Sequence, residues 1–319
     1  MSRLLIGVII TDCHIDFQEE ILRGIISQSF KSNCDTAIIA PFHNFSFKTD
    51  HKENERRIFN LILSDKFDGF LYDRAIFYDE EIKKYIDSLL TRSGKPVMLL
   101  DSANHKSFET ATIDDSEAFE TITDHLIEVH GHTRICCLTG PKGTFVAEER
   151  LKGFKNSMRK HGLYYGRNCV RYGDFWKDSA REMADDIISG NIERPEAVVC
   201  GNDVMAVTLT AALMAGGIKV PEDIAVTGYD ASMDGYRSVP SITSYSRPNF
   251  QLGAEAFRRL YRIITGKICN KVPNEYGKLR LGRSCGCSDD PKLRHDIVRK
   301  ENINQRFESD MLYGDMLFD

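Results

Sequence analysis

The chain has 319 residues, 42% hydrophobic and 28% charged, with a formal net charge of -5. That length has room for about two domain-sized units, and the acidic balance offers no basic face of the kind nucleic acid requires. The opening apolar run, residues 4–10, is too short for a bilayer span and lacks the features of a secretory signal, so no membrane segment is indicated. Nine cysteines, an odd number, include Cys136, Cys137 and Cys200 within strand-like apolar runs. Small reduced core thiols and a cytoplasmic location are therefore expected.

Run 4–10 predicts a strand covered on both faces. Asp16 then precedes Phe17, Ile21, Leu22, Ile25, Ile26 and Phe30 at helical spacing, which predicts a helix with an aspartate cap. Further strands are predicted at 36–40, 67–72 and 97–100, with helices at 54–63 and 79–91. This alternation implies a parallel, doubly wound sheet. A second series follows, with helices at 116–130, 148–161, 177–189 and 202–215 and strands at 134–139, 169–172, 197–200 and 224–228. Gly216-Gly217 supplies the stop after the helix at 202–215. Two series of similar size predict two similar lobes rather than one large sheet. A helix at 249–265 and a strand at 278–281 return the chain to them. The expected division is 1–103 with 244–275 as the first lobe and 104–243 with 276–287 as the second. Residues 288–319, rich in charged residues and asparagine, read as a helical arm or linker.

Ligands of parallel sheets bind beyond the carboxyl ends of the strands, where loops and helix N-termini converge. Those positions hold Asp12, His14, Asp16 and Phe17, then Asp101, Thr139, Phe175, Trp176, Asn202 and Asp230. Carboxylates, an amide and aromatic rings suit a sugar-like or nucleoside-like ligand, with rings covering apolar patches and polar groups fixing orientation. Any one of these residues could equally be a helix cap, and only their repetition at successive strand ends marks a site. Catalytic patterns are lacking: the sequence has no nucleophile elbow, no phosphate-binding glycine loop and no zinc-protease helix. An enzyme is not expected, nor a cofactor. His130-Gly-His132 reads as a solvated turn. Cys285-Gly-Cys287 also reads as a turn with reduced thiols, since zinc prefers four nitrogen or sulfur ligands and only Cys269 lies nearby in sequence.

The run Ala197-Val-Val-Cys-Gly-Asn-Asp-Val-Met-Ala resembles the effector-binding domain of LacI/GalR-type regulators. So do Ala215-Gly-Gly-Ile-Lys-Val-Pro-Glu-Asp-Ile-Ala-Val-Thr-Gly-Tyr-Asp230, His125-Leu-Ile-Glu-Val-His-Gly-His-Thr-Arg-Ile, Thr139-Gly-Pro and Glu149-Arg-Leu-Lys-Gly-Phe. The resemblance runs from about residue 4 to residue 281. It implies the periplasmic-binding-protein type I fold: two Rossmann-like lobes with parallel sheets, a three-strand hinge and an effector held between the lobes. It adds Arg150 and Arg247 to the expected contacts and implies a small-molecule effector and a homodimer. Arg247 stands where relatives often have glutamine before proline, a departure that points toward an anionic ligand. Family repressors carry a helix-turn-helix before the first strand, whereas here that strand begins near Met1, so direct DNA binding by this chain is not expected. The ending resembles sensor regions that precede an output domain such as a GGDEF diguanylate cyclase. The rival expectations are a transport-type sugar-binding protein and a degenerate dimerisation module.

Overall fold

The structure is a computed structural model that describes residues 3–13, 15–41, 55–77, 79–103, 105–268 and 277–290. The chain divides into two compact units. The first comprises Met1–Glu120, Gly140–Lys155 and Arg247–Gly277, and the second Thr121–Thr139, Asn156–Ser246 and Lys278–Asp319.

In the first unit five strands, β1 (Leu5–Ile9), β2 (Asp35–Ile39), β3 (Gly69–Asp73), β4 (Val97–Leu100) and β5 (Glu109–Ala111), form a wholly parallel sheet in the order β2-β1-β3-β4-β5. β3 and β4 are buried along their whole length, as unbroken apolar runs covered on both faces should be. Helices α1 (Asp16–Lys31) and α2 (Glu80–Ser93) belong to this unit. Asp79 caps α2 by accepting from the backbone N–H groups of Glu81 and Ile82, at 2.8 and 3.1 Å, and Gly94 ends it in the left-handed conformation. On α1 the cap is Ile15, with no side-chain bond, and Asp16 is the first helical residue instead. The helix expected at 54–63 is a 3-10 turn over Arg56–Leu63 that buries Phe59 and Ile62, and residue 54 lies outside the described residues.

Six strands build the second unit: β6 (Ile135–Thr139), β7 (Val170–Tyr172), β8 (Ala197–Cys200), β9 (Ala225–Tyr229), β10 (Thr243–Ser246) and β11 (Lys278–Arg280). Their order is β11-β10-β9-β8-β6-β7, with only β11 antiparallel. Helices α3 (Asp115–Glu128) and α4 (Phe145–Lys160) each straddle the division, while α5 (Lys177–Ile188), α6 (Asp203–Ala215) and the short α7 (Met233–Arg237) lie in the second unit. Ala180, Met183, Ala184 and Ile187 of α5 and Met205, Leu209 and Leu213 of α6 pack with Val198, Cys200 and Val226 of the sheet.

The last long helix among the described residues, α8 (Asn249–Thr265), belongs to the first unit although it follows most of the second in sequence. Its Leu252, Ala256, Phe257 and Leu260 share a core with Ile6, Val8, Ile21 and Ile25. Two glycines permit this contact: a Cβ on Gly253 would lie 2.0 Å from the Ile21 carbonyl oxygen, and one on Gly24 2.1 Å from that of Phe250. The division also places 104–120 and 140–155 with the first unit. There β5 extends the first sheet, and the backbone of α4 at Gly153 lies against Ser116 of α3. Residues 291–319, where an arm was expected, lie outside the described residues, as do Cys269 and His14. The eight described cysteines form no disulfide, and no described helix is long and apolar enough to cross a membrane.

Candidate functional site

At the carboxyl end of the first sheet, β4 runs directly into Asp101, whose backbone turns with φ +48°. Asp101 is buried, and its Oδ1 lies 2.7 Å from Nη2 of Arg247. The same guanidinium donates from Nε to Asp115 Oδ1 at 3.1 Å and from Nη1 to Asn249 Oδ1 at 2.9 Å. The other oxygen of Asp115 accepts from Arg150 Nε at 3.0 Å. Two arginines and two aspartates thus form a buried chain, the arrangement in which a planar fork of donors is most specific. Arg150 also lies over the ring of Phe119, with its guanidinium carbon 5.9 Å from the centroid. A third carboxyl, Asp73 at the end of β3, is pushed well above the usual carboxylate range, first by burial and then by the charge of Asp101. Its Oδ1 is buried without a hydrogen-bond partner, as is the hydroxyl of Thr11 just beyond β1.

These contacts change the meaning of Arg247. Its side chain is already held by two carboxylates and an amide, so its departure from glutamine does not present a bare cation to an anionic ligand. Of the loop after β1, Asp12 has φ +50° and its carbonyl accepts from the Ile15 N–H. Phe17 packs partly into the core, and Asp16 is exposed on the first turn of α1.

In the second unit the motif Gly201-Asn-Asp203 acts as a two-sided clasp. Asn202 caps α6, its Oδ1 accepting from Met205 N at 3.0 Å while its Nδ2 donates to the Phe175 carbonyl at 3.0 Å. Phe175 has φ +64°, a costly backbone state for an aromatic residue, and its ring packs partly against the core. The next residue, Asp203, is fully buried and faces the other way. Its oxygens accept from Ser244 Oγ and from the Ser232 N–H, both at 2.6 Å, which fixes the turn beyond β9. Burial, followed by the charge of Asp230, pushes its carboxyl up to about 7. The close fit explains two glycines, because a Cβ on Gly228 would lie 2.1 Å and one on Gly235 2.9 Å from the Asp203 carboxylate oxygens. The turn so held presents Asp230 at φ +101°, its N–H donating to the Tyr245 carbonyl at 3.0 Å. Thr139 is wholly buried at the end of β6, whereas Trp176 is 39% exposed just before α5.

Within the first unit, therefore, the structure brings Asp101, Arg150 and Arg247 into one network through Asp115; within the second it joins Asn202 to Phe175. Asp73, Asp115, Asn249, Ser232 and Ser244 escaped the sequence analysis. Asp115 carried a faint signal as an acid opening a helix, and Asp73 another as a carboxylate ending a buried strand.

A family model described as "Periplasmic binding protein-like domain" matches residues 123–285. The chain is 30% identical over 268 residues to the HTH-type transcriptional repressor PurR of Vibrio atlanticus (strain LGP32), covering 82% of this chain and 75% of that protein. It is 28% identical over 271 residues to PurR of Vibrio vulnificus (strain CMCP6), covering 83% and 76%. Among solved structures, the transcriptional regulator CelR–cellobiose complex superposes with a TM-score of 0.74 at 23% identity, covering 89% of this chain and 85% of that one. The lac repressor dimer bound to operator and an anti-inducer gives 0.67 at 21% identity, covering 83% and 88%. The two α/β units have the periplasmic-binding-protein type I fold, and the chain belongs to the periplasmic binding protein-like domain family, as the ligand-sensing domain of LacI/GalR-type regulators.

Proposed function

We propose that the chain senses a polar metabolite, sugar-like or nucleoside-like, and passes its binding on as a change in the population of conformations. The observation that carries this is the backbone at the strand ends. Asp12, Asp101, Phe175 and Asp230 each follow a different parallel strand with positive φ. Such strain persists where surrounding structure over-determines it, and it concentrates at ligand sites. The orphaned Asp73 Oδ1 and Thr11 hydroxyl point the same way, since buried polar atoms ordinarily find partners. An anionic ligand is disfavoured by the pairing of Arg150 and Arg247 with Asp101 and Asp115. The proposed contacts are Asp12, His14, Asp16, Phe17, Asp101, Thr139, Arg150, Phe175, Trp176, Asn202, Asp230 and Arg247, joined by Asp73.

A ligand biases such a protein only through its different affinities for the two conformations, about 1.4 kcal/mol for each tenfold. The relatives are named as repressors, so transcription regulation in the cytoplasm by a homodimer is the proposed setting. Delivery of the signal to an output domain such as a diguanylate cyclase is the form that the resemblance of its ending suggests.

The test is a thermal-shift screen of the whole chain against sugars, nucleosides and amino acids, followed by calorimetry on each hit. A ligand at a hundredfold excess over its Kd stabilises by about 2.7 kcal/mol. Asp230→Asn keeps a residue type that tolerates positive φ while removing the charge, and it should weaken the hit about tenfold or more. A library without hits, or an affinity indifferent to both Asp230→Asn and Asp12→Asn, would reject a metabolite sensor and favour a dimerisation module.

A further inference from the structure

Two stretches of the second unit that lie far apart in sequence meet at a cluster of nitrogen and sulfur ligands. His125 is in the last turn of α3, and His130 lies just past its end. Cys285 closes a 3-10 turn over Arg283–Cys285, and Cys287 follows Gly286. Gly286 has φ +99°, which an L side chain rarely adopts, and this lets the short Cys-Gly-Cys segment fold back so that both thiols reach the imidazoles. The two Nε2 atoms are 3.3 Å apart. Cys285 Sγ is 3.5 Å from His125 Nε2, and Cys287 Sγ is 3.7 Å from His125 Nε2 and 3.4 Å from His130 Nε2. All four ligand atoms lie within 4.8 Å of one another.

These separations are the edges of a metal tetrahedron. Zinc bonds of about 2.3 Å to sulfur and about 2.0–2.1 Å to nitrogen, at tetrahedral angles, require about 3.3 Å between nitrogens and about 3.5 Å between nitrogen and sulfur. The observed nitrogen–nitrogen and nitrogen–sulfur separations lie close to both values. The donor set is soft enough for zinc and free of the carboxylates that magnesium or calcium would require. Cys285 is buried against Thr243 Oγ1 at 2.9 Å, which orients it, while Cys287 is only half-buried and leaves a path for the ion.

We propose that His125, His130, Cys285 and Cys287 form a structural zinc site that staples the segment after β11 to the end of α3. Four protein ligands leave no open position, so the site is structural rather than catalytic. On binding, both thiols release their protons to solvent and become thiolates, and the two negative charges neutralise the dication. The other group with metal-ligand spacing among the described residues, Asp124, Glu128 and His161, differs in kind: Lys160 Nζ already lies 2.6 Å from Asp124 Oδ2, and Ser157 and His161 occupy Oδ1.

The experiment titrates the full chain, reduced and stripped of metal, with cobalt(II) alone as probe. One equivalent should produce the intense visible bands of tetrahedral cobalt with a thiolate charge-transfer band, and zinc should displace it. Cys287→Ser, at the half-buried position, should weaken binding about a hundredfold or more, and His130→Asn should do the same. Asp124→Asn should leave stoichiometry and spectrum unchanged. The proposal is overturned if thiol-counted, reduced protein gives no tetrahedral spectrum, or if Cys287→Ser retains it. Should the variants fail to fold, X-ray absorption of the zinc-loaded native chain decides, by showing either two sulfur ligands at about 2.3 Å or none.

Discussion

Replacing Arg247 with methionine keeps most of the side chain's bulk and removes three hydrogen bonds, to Asp101, Asp115 and Asn249. Asp115 retains Arg150, but Asp101, 7% exposed, is left as a buried carboxylate near Asp73 with its counter-charge gone. Breaking one partner from such a buried ion network costs about 3–5 kcal/mol. In urea, with a slope of roughly 2–3 kcal/mol per molar, the midpoint for the first unit should fall by about 1–2 M, read by far-ultraviolet circular dichroism at pH 7.5. One further measurement ties the loss to the stranded charge: adding Asp101→Asn should restore most of the stability. A loss below about 1 kcal/mol, or a double variant no better than Arg247→Met alone, would refute the view of Arg247 as counter-charge to Asp101.

Asp203 governs a pH effect of opposite sign to that of most carboxylates. Its carboxyl titrates at about 7 in the folded chain and near the ordinary value of about 3.9 in the unfolded one, so the folded state holds the proton more tightly. Stability should be greatest below about pH 4, decline as pH rises to about 7, and level off beyond, with at most about 4 kcal/mol at stake. Asp203→Asn, with its amide nitrogen toward Ser244 and its oxygen toward the Ser232 N–H, should flatten that slope; an unchanged urea-midpoint profile between pH 4 and 7 would contradict the assignment. Two glycine-to-alanine changes should separate contact from conformation. Gly253→Ala drives a methyl into the Ile21 carbonyl and should cost about 3 kcal/mol or more, a melting-temperature loss of roughly 6–12 °C. Gly94→Ala meets no atom within 4 Å and should cost only about 1 kcal/mol for its positive φ, so equal losses at both sites would undo the distinction.

Most of the fold was legible because buried parallel strands such as 69–73 and 97–100 are unbroken apolar runs, and α1, α5 and α8 repeat their apolar residues every three or four positions. The strands that escaped notice had no such mark. β10 reads Thr-Ser-Tyr-Ser and is buried by hydrogen bonds as much as by apolar surface, and β5 is only Glu-Thr-Ala. Strand ends could be found from sequence, but their conformations could not. Nothing in Asp174-Phe-Trp176 signals a positive φ at the phenylalanine, whose carbonyl accepts from Asn202. Partnership at a distance was equally hidden. The pair His130-Gly-His132 drew attention as a local motif, yet the imidazole that joins His130 at the thiols is His125, five residues earlier on a helix, and the thiols come from the far end of the chain.

The position of α8 bears on how the protein is made. Its Leu252, Phe257 and Leu260 complete the core begun by Ile6, Val8 and Ile21, yet more than two hundred residues separate α1 from them. At translation rates of about 5–20 residues per second, some 10–45 s pass before the covering helix emerges. Throughout that interval the apolar flank of α1 and its neighbouring strands stays uncovered on the nascent chain, while α5 and α6 emerge and can already pack on their own strands. The amino-terminal unit is thus begun first and finished later, and its core closes only once Leu252, Phe257 and Leu260 have left the ribosome.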